Sequence, residues 1–168
     1  MPSLAERCRP IRLLVVDVDG SLTAGGIVYG TASHEQKRFH VRDGWALKEW
    51  TKAGRSLAVL TGRSSDLVER RGRELGAQWV IQGAGDKGAA WGGLLRDAGV
   101  QSGEVAVLGD DEPDLPLFKV CGLGAAPADA ASQARRGAHL VLRKGGGDGA
   151  ARELLELMMR CQGIWPGH

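Results

Sequence analysis

Short apolar runs that stop abruptly at polar residues constrain this chain more than any other feature. "IRLLVV" (11–16) runs straight into Asp17, "SLAVL" (56–60) into Thr61, and "EVAVLG" (104–109) into Asp110. Runs of four to six apolar residues with no polar alternation belong to strands covered on both faces, which is the signature of a parallel sheet. Helical patterns lie between them, at about 43–52, 64–75, 86–97 and 149–161. Further strands are expected at "QWVIQ" (78–82), "CGLGAA" (121–126) and "HLVL" (139–142). Strands alternating with helices predict an α/β fold, a Rossmann-like parallel sheet with helices on both faces. Ligands of such sheets bind beyond the carboxyl ends of the strands, where the acids stand.

Some boundaries follow from local chemistry. Asp43 is placed to cap the helix that runs to Lys52, and Gly54 to stop it. Residues 27–41 are two extended pieces around a polar turn, hence a small β-hairpin after the first strand. "KGGGDG" (144–149) reads as a mobile loop, and the chain end, about 161–168, as a flexible tail. The 168 residues make one domain with a sizeable core. No linker, repeat or low-complexity segment divides them.

Composition excludes several function classes. A net charge of +2 gives no reason to expect nucleic acid as a partner, and no apolar run reaches transmembrane length, so no membrane is expected either. Three cysteines, Cys8, Cys121 and Cys161, lack metal spacing and read as reduced thiols of a cytoplasmic protein. His34, His40, His139 and His168 show no ligand pattern, which argues against zinc. Glycine is abundant, at 26 residues, and much of the excess follows strands, where tight turns or close approach to a ligand need it.

Four motifs then converge. Asp17 and Asp19 follow the first strand, Thr61 and Gly62 the second, Lys87 opens a helix, and "GDDEPD" (109–114) supplies Asp110, Asp111 and Asp114. Each has an ordinary reading alone: a turn cap, a strand-to-helix cap, a solvated lysine. Together they gather carboxylates at one crevice. Two such charges at roughly 5 Å repel by about 3 kcal/mol at an effective dielectric near 20. A hard divalent cation relieves that repulsion, and an all-oxygen donor set without His or Cys favours Mg2+. Mg2+ retains affinity for phosphate oxygens, so the expected substrate is a phosphate. The Thr61 hydroxyl, the Gly62 amide and the Lys87 ammonium suit its phosphoryl oxygens. Asp17 is the expected nucleophile and would form an aspartyl-phosphate; Asp19 is the expected acid/base for both half-reactions.

"DVDGSLT", "TGR", Lys87 and "GDDEPD" resemble the four motifs of the haloacid dehalogenase superfamily of phosphatases. "HEQKRFHVRDGWAL" and "GGDGAARE" resemble, more narrowly, its branch acting on 3-deoxy-D-manno-octulosonate 8-phosphate in lipopolysaccharide sugar synthesis, from about Ile11 to Glu153. The resemblance implies a Rossmann-like core without a cap domain and a homotetramer whose hairpins help close neighbouring active sites. It implies Mg2+ held by the Asp17 side chain, the Asp19 carbonyl and Asp110. Asp111 would hold metal-bound water, Thr61, Gly62 and Lys87 would bind phosphate, and Asp114 would support the cluster. The substrate class is a small phosphorylated sugar acid. Spacing agrees with a missing cap, since Thr61 follows Asp17 by 44 positions and Lys87 follows Thr61 by 26. Tyr29, Phe39 and Val41 are the hairpin's expected interface residues. The chain departs from the branch at Ala24, where an acid commonly precedes the glycine that here is Gly25, and at Asp148, where arginine is common. Two alternatives stand beside this reading: a phosphatase for another sugar acid, such as a nonulosonate 9-phosphate, and a phospho-accepting receiver domain. Motif order disfavours the receiver, which would need no acid two residues after its acceptor.

Overall fold

The computed structural model describes residues 2–30 and 35–166. Six parallel strands form the main sheet: β1 (Leu13–Val16), β4 (Ser56–Leu60), β5 (Trp79–Ile81), β6 (Val105–Leu108), β7 (Leu123–Ala126) and β8 (Leu140–Val141). Their spatial order is β5-β4-β1-β6-β7-β8, with β1 central. The two short strands β2 (Val28–Tyr29) and β3 (Glu35–Gln36) pair antiparallel as the expected hairpin, although its turn lies outside the described residues. Val16 stands opposite both Val59 and Leu108, so β1, β4 and β6 end nearly level. That register brings the polar residues that follow them to one edge.

Alternation along the central strands divides the core into two layers. Leu14 and Val16 face α1 (Leu4–Cys8), α2 (Val41–Lys52), α3 (Asp66–Leu75) and α7 (Ala150–Cys161) through Cys8, Trp50, Leu75, Leu154 and Met158. Leu13 and Val15 face the opposite layer: α4 (Lys87–Ala98), α5 (Leu115–Phe118) and α6 (Ser132–Gly137), through Trp91, Leu94, Phe118 and Ala134. Helix ends follow their capping residues. Ser65 Oγ accepts from the Leu67 amide at 3.3 Å to begin α3, which stops at Gly76 in the left-handed region (φ 78°). Asp86 caps α4, so Lys87 is the first residue of that helix.

Four expectations are corrected. Asp43 does not cap its own helix. His40 does, its Nδ1 accepting from the Arg42 amide at 3.3 Å, while Asp43 lies buried within the first turn of α2. Its carboxylate accepts from the amides of Gly149 (3.2 Å) and Arg152 (2.7 Å), and so caps α7 instead. The N-cap of α7 is Gly149, which has no side chain to offer, and the neighbouring helix supplies one. Phe39, expected at a subunit interface, packs against the α2–α3 layer of its own chain, with the Arg71 guanidinium 5.4 Å from its ring. The "KGGGDG" loop is tied down rather than loose. The Gly146 amide donates to Asp129 at 2.8 Å and the Gly147 amide to Ser21 O at 3.1 Å, while Glu153 receives the amides of Arg143 and Lys144. The tail, too, is packed through Trp165, whose ring stacks edge-on against Trp45 at 5.5 Å; Gly167 and His168 lie outside the described residues.

Candidate active site

The first motif begins where β1 stops. The Asp17 amide still continues the ladder, donating to Leu108 O at 2.9 Å, but its side chain turns into the crevice and is nearly buried. Lys87 reaches it from the start of α4: Nζ lies 2.8 Å from Asp17 Oδ1 and 2.7 Å from Asp114 Oδ1. Asp114 is fully enclosed, and its second oxygen accepts from the amides of Asp110 (2.9 Å) and Asp111 (3.3 Å). One buried carboxylate therefore fixes both the lysine and the backbone of the "GDD" turn. Asp111 itself caps the short turn that follows, accepting from the Glu112 amide at 2.8 Å.

Gly20 has a steric reason to be glycine. It sits at φ 88°, and a Cβ there would overlap the Asp110 carboxylate. This close approach brings Asp110 beside Asp17, and the Ser21 hydroxyl donates to Asp110 Oδ1 at 3.3 Å. Thr61 is buried at the end of β4, its amide donating to Ile81 O at 3.0 Å and its carbonyl accepting from Ala84 N at 3.0 Å. Asp17, Asp19, Thr61, Gly62, Lys87, Asp110, Asp111 and Asp114 thus all line one cavity of about 300 Å³. All eight residues singled out in the sequence are gathered there.

Reasoning from sequence missed three neighbours. Ser21 and Arg63 stood inside quoted motifs without a role, and Lys37 belonged to the hairpin. The Lys37 ammonium lies 2.6 Å from Asp19 Oδ1 and 3.3 Å from Glu35 Oε1. Arg63 closes the group at 3.4 Å from Glu35 and 3.9 Å from Asp19 Oδ2. The two-residue spacing of Glu35 and Lys37 was the available signal, because alternate residues of a strand share a face.

Electrostatics show what this arrangement demands. Burial pushes the Asp110 carboxyl up to about 8, and the adjacent Asp17 adds to the shift. Asp17 is also raised, by burial above all, with Asp114 raising it further and Lys87 opposing. Burial works against the Lys87 charge, yet Asp17 and Asp114 together hold its pKa above the ordinary value. One lysine does not neutralise three acids. Oxygens of Asp17, Asp110 and Asp114 lie within 4.8 Å of one another, and Asp19 Oδ2 is buried without a hydrogen-bond partner. Asp114 is already engaged by Lys87 and two amides, which leaves Asp17 and Asp110 as the carboxylates with capacity to spare. A hard, oxygen-ligated divalent cation fits this donor set.

Comparison with known proteins agrees with the geometry. A family model for haloacid dehalogenase-like hydrolases matches residues 77–154, the part that carries Lys87 and the "GDDEPD" cluster. The chain is 37% identical over 160 residues to the 3-deoxy-D-manno-octulosonate 8-phosphate phosphatase of Haemophilus influenzae, covering 95% of this chain and 89% of the relative. The crystal structure of the Yersinia pestis phosphatase of the same name superposes with a TM-score of 0.95 at 38% identity, covering 98% of this chain and 89% of that one. That of the Moraxella catarrhalis phosphatase, in complex with a magnesium ion, a phosphate ion and a KDO molecule, superposes with a TM-score of 0.92 at 38% identity, over 95% and 91% of the two chains.

Proposed function

Since this chain belongs to the 3-deoxy-D-manno-octulosonate 8-phosphate phosphatases of the haloacid dehalogenase superfamily, we propose that it hydrolyses that sugar phosphate with Mg2+, through a phosphoryl group carried on Asp17. The observation that carries the reading is the meeting of Asp17 with Lys87 and Asp110 in one buried cluster at the carboxyl edge of the sheet.

Asp17, Asp110 and the Asp19 main-chain carbonyl would hold the ion, with Asp111 beside them. Bound there, it draws negative charge from the phosphoryl oxygens and lets the carboxylates stay ionised. The remaining chemistry is done by the chain. The Asp17 carboxylate attacks phosphorus as the bond to the sugar oxygen breaks, and Asp19 gives that oxygen its proton. Asp19, now ionised, takes a proton from a water molecule, which attacks the phosphorus of the aspartyl-phosphate and releases inorganic phosphate. Thr61, the Gly62 amide and Lys87 hold the phosphoryl oxygens through both steps. Asp114 keeps Lys87 and the Asp110 turn in place, as its three short contacts support.

A panel of phosphate esters, scored by phosphate release with Mg2+ and again with chelator, tests the substrate. The octulosonate 8-phosphate should have the highest kcat/KM, and chelator should abolish turnover. Ala24 and Asp148 line one cavity of about 350 Å³ together with Gln36 and Arg38, the chain's own variation beside the site. Higher kcat/KM for a nonulosonate 9-phosphate would overturn the substrate assignment and leave the chemistry standing.

The active enzyme is proposed to be a cytoplasmic homotetramer with its sites near subunit interfaces. Tyr29 and Val41 are 79% and 83% exposed, an unusual presentation of apolar surface from one hairpin and the helix after it. Light scattering should give a mass near four chains. A fully active monomer would refute the assembly.

A further inference from the structure

Four charged side chains form a closed, alternating ring at the mouth of the site: Asp19, Lys37, Glu35 and Arg63. Two of them come from the hairpin, which the four phosphatase motifs do not include. β3 presents Glu35 and the adjoining Lys37 on the face toward the crevice, while Gln36 and Arg38 line the separate cavity on the other side. This is strand alternation used to serve two surfaces. The Lys37 side chain is only 2% exposed, so its charge is removed from bulk water and its long stem is held by packing. Asp19, by contrast, has one oxygen bound by Lys37 and the other buried without a hydrogen bond. Nothing else within hydrogen-bond distance holds that carboxylate among the described residues.

We propose that Lys37 is the positioning residue for Asp19, and that the hairpin of each chain thereby sets the geometry of proton transfer in its own active site. The proposal rests on the acid/base role assigned to Asp19 above. A carboxyl group that must donate to a leaving oxygen and then accept from water has to return to one orientation twice per turnover. A single-bonded aspartate without a partner samples several rotamers. An ammonium at 2.6 Å on Oδ1 restricts it to one. Glu35 in turn fixes Lys37, since it contacts Nζ at 3.3 Å and is itself held by Arg63.

Leaving-group chemistry separates this role from a merely structural one. Expulsion of a sugar alkoxide needs a proton; expulsion of p-nitrophenolate does not. General-acid assistance is worth roughly 10²–10⁴-fold where the leaving group requires it. In rapid-quench measurements, Lys37→Met, which keeps the apolar stem, should slow formation of the aspartyl-phosphate from the octulosonate 8-phosphate by about 10²-fold while changing its formation from p-nitrophenyl phosphate by less than about 3-fold. Hydrolysis of the aspartyl-phosphate, which uses Asp19 whatever the ester, should slow alike for both. Lys37→Arg should restore at least a tenth of the lost activity, and calorimetry should find Mg2+ binding to Lys37→Met unaltered. Equal losses on the two esters in the phosphorylation step, or weakened Mg2+ binding, would show that Lys37 merely supports the fold of the site. No loss on the sugar ester would also refute the proposal. Asp19→Asn measured alongside keeps the two questions apart. If that variant does not show the same leaving-group split, the acid/base assignment fails, whatever Lys37 does.

Discussion

Asp17→Asn will lower kcat by more than about 10⁴-fold on every phosphate ester, the scale on which loss of a covalent nucleophile registers, and will leave the fold intact. The amide has nearly the shape of the carboxylate, and its oxygen can still accept from Lys87, which Asp114 holds independently at 2.7 Å. What disappears, in the mechanism proposed above, is the anionic oxygen that attacks phosphorus. Stability should stay level or rise. Asp17 has its pKa raised by burial, so the folded state binds that proton more tightly than the unfolded chain does. Ionisation of Asp17 at neutral pH therefore works against folding, and asparagine removes that charge. Phosphate release and urea unfolding without Mg2+ check the two halves. Acid-quenched protein should carry radiolabelled phosphate from substrate in the wild type and none in the variant. Turnover within about tenfold of wild type would remove Asp17 from the mechanism.

The gathering of the candidate site at one edge was legible in the sequence because its geometry follows from local rules. Apolar strands that end in Asp17, Thr61 and Asp110 must deliver those residues to one edge once the strands run parallel, and the observed register, Val16 opposite Val59 and Leu108, does so. Lys87 was legible for a related reason, since it stands at the first position of a helix that follows another strand of that sheet. What escaped notice depended on contacts between distant segments. Asp43 obeys the capping preference of its residue type, but its helix lies 106 positions away from the capped amide of Gly149. Lys37 belongs to a hairpin of two-residue strands; its spacing from Glu35 puts the two on one face, but which site that face meets depends on how the hairpin packs. The helices α5 and α6, of four and six residues, offered no periodicity to read. The glycines of "KGGGDG" suggested looseness, yet a Cβ on Gly146 would overlap Gly20 O and one on Gly147 would press on the Thr23 backbone. There, glycine marks close packing of two loops.

Lys87→Met should produce the largest loss of stability of any single substitution in the site. The lysine is almost fully enclosed and faces two enclosed acids, Asp17 at 2.8 Å and Asp114 at 2.7 Å. A buried pair contributes little net energy when intact, because desolvation offsets its attraction. Removing one member is different, since the other charges remain buried without compensation, and the usual cost is about 3–5 kcal/mol. Methionine matches the stem, so no large cavity confuses the comparison. In the wild type, the raised Lys87 pKa means that the stabilising charge is present below the ordinary lysine value of about 10.4 and is lost as pH rises through the higher folded-state value. Urea unfolding at pH 7 should show the variant's deficit, and saturating Mg2+ should recover part of it, because a cation beside Asp17 and Asp110 replaces some of the missing charge. Activity should not recover with stability. The ion would neutralise the carboxylates but would not replace the ammonium proposed to hold the phosphoryl oxygens, and loss of one such donor typically lowers kcat by about 10²–10³-fold. A variant as stable as the wild type without Mg2+ would mean that Asp17 and Asp114 share a proton in place of the lysine, and that the buried charge inferred at this edge is not there.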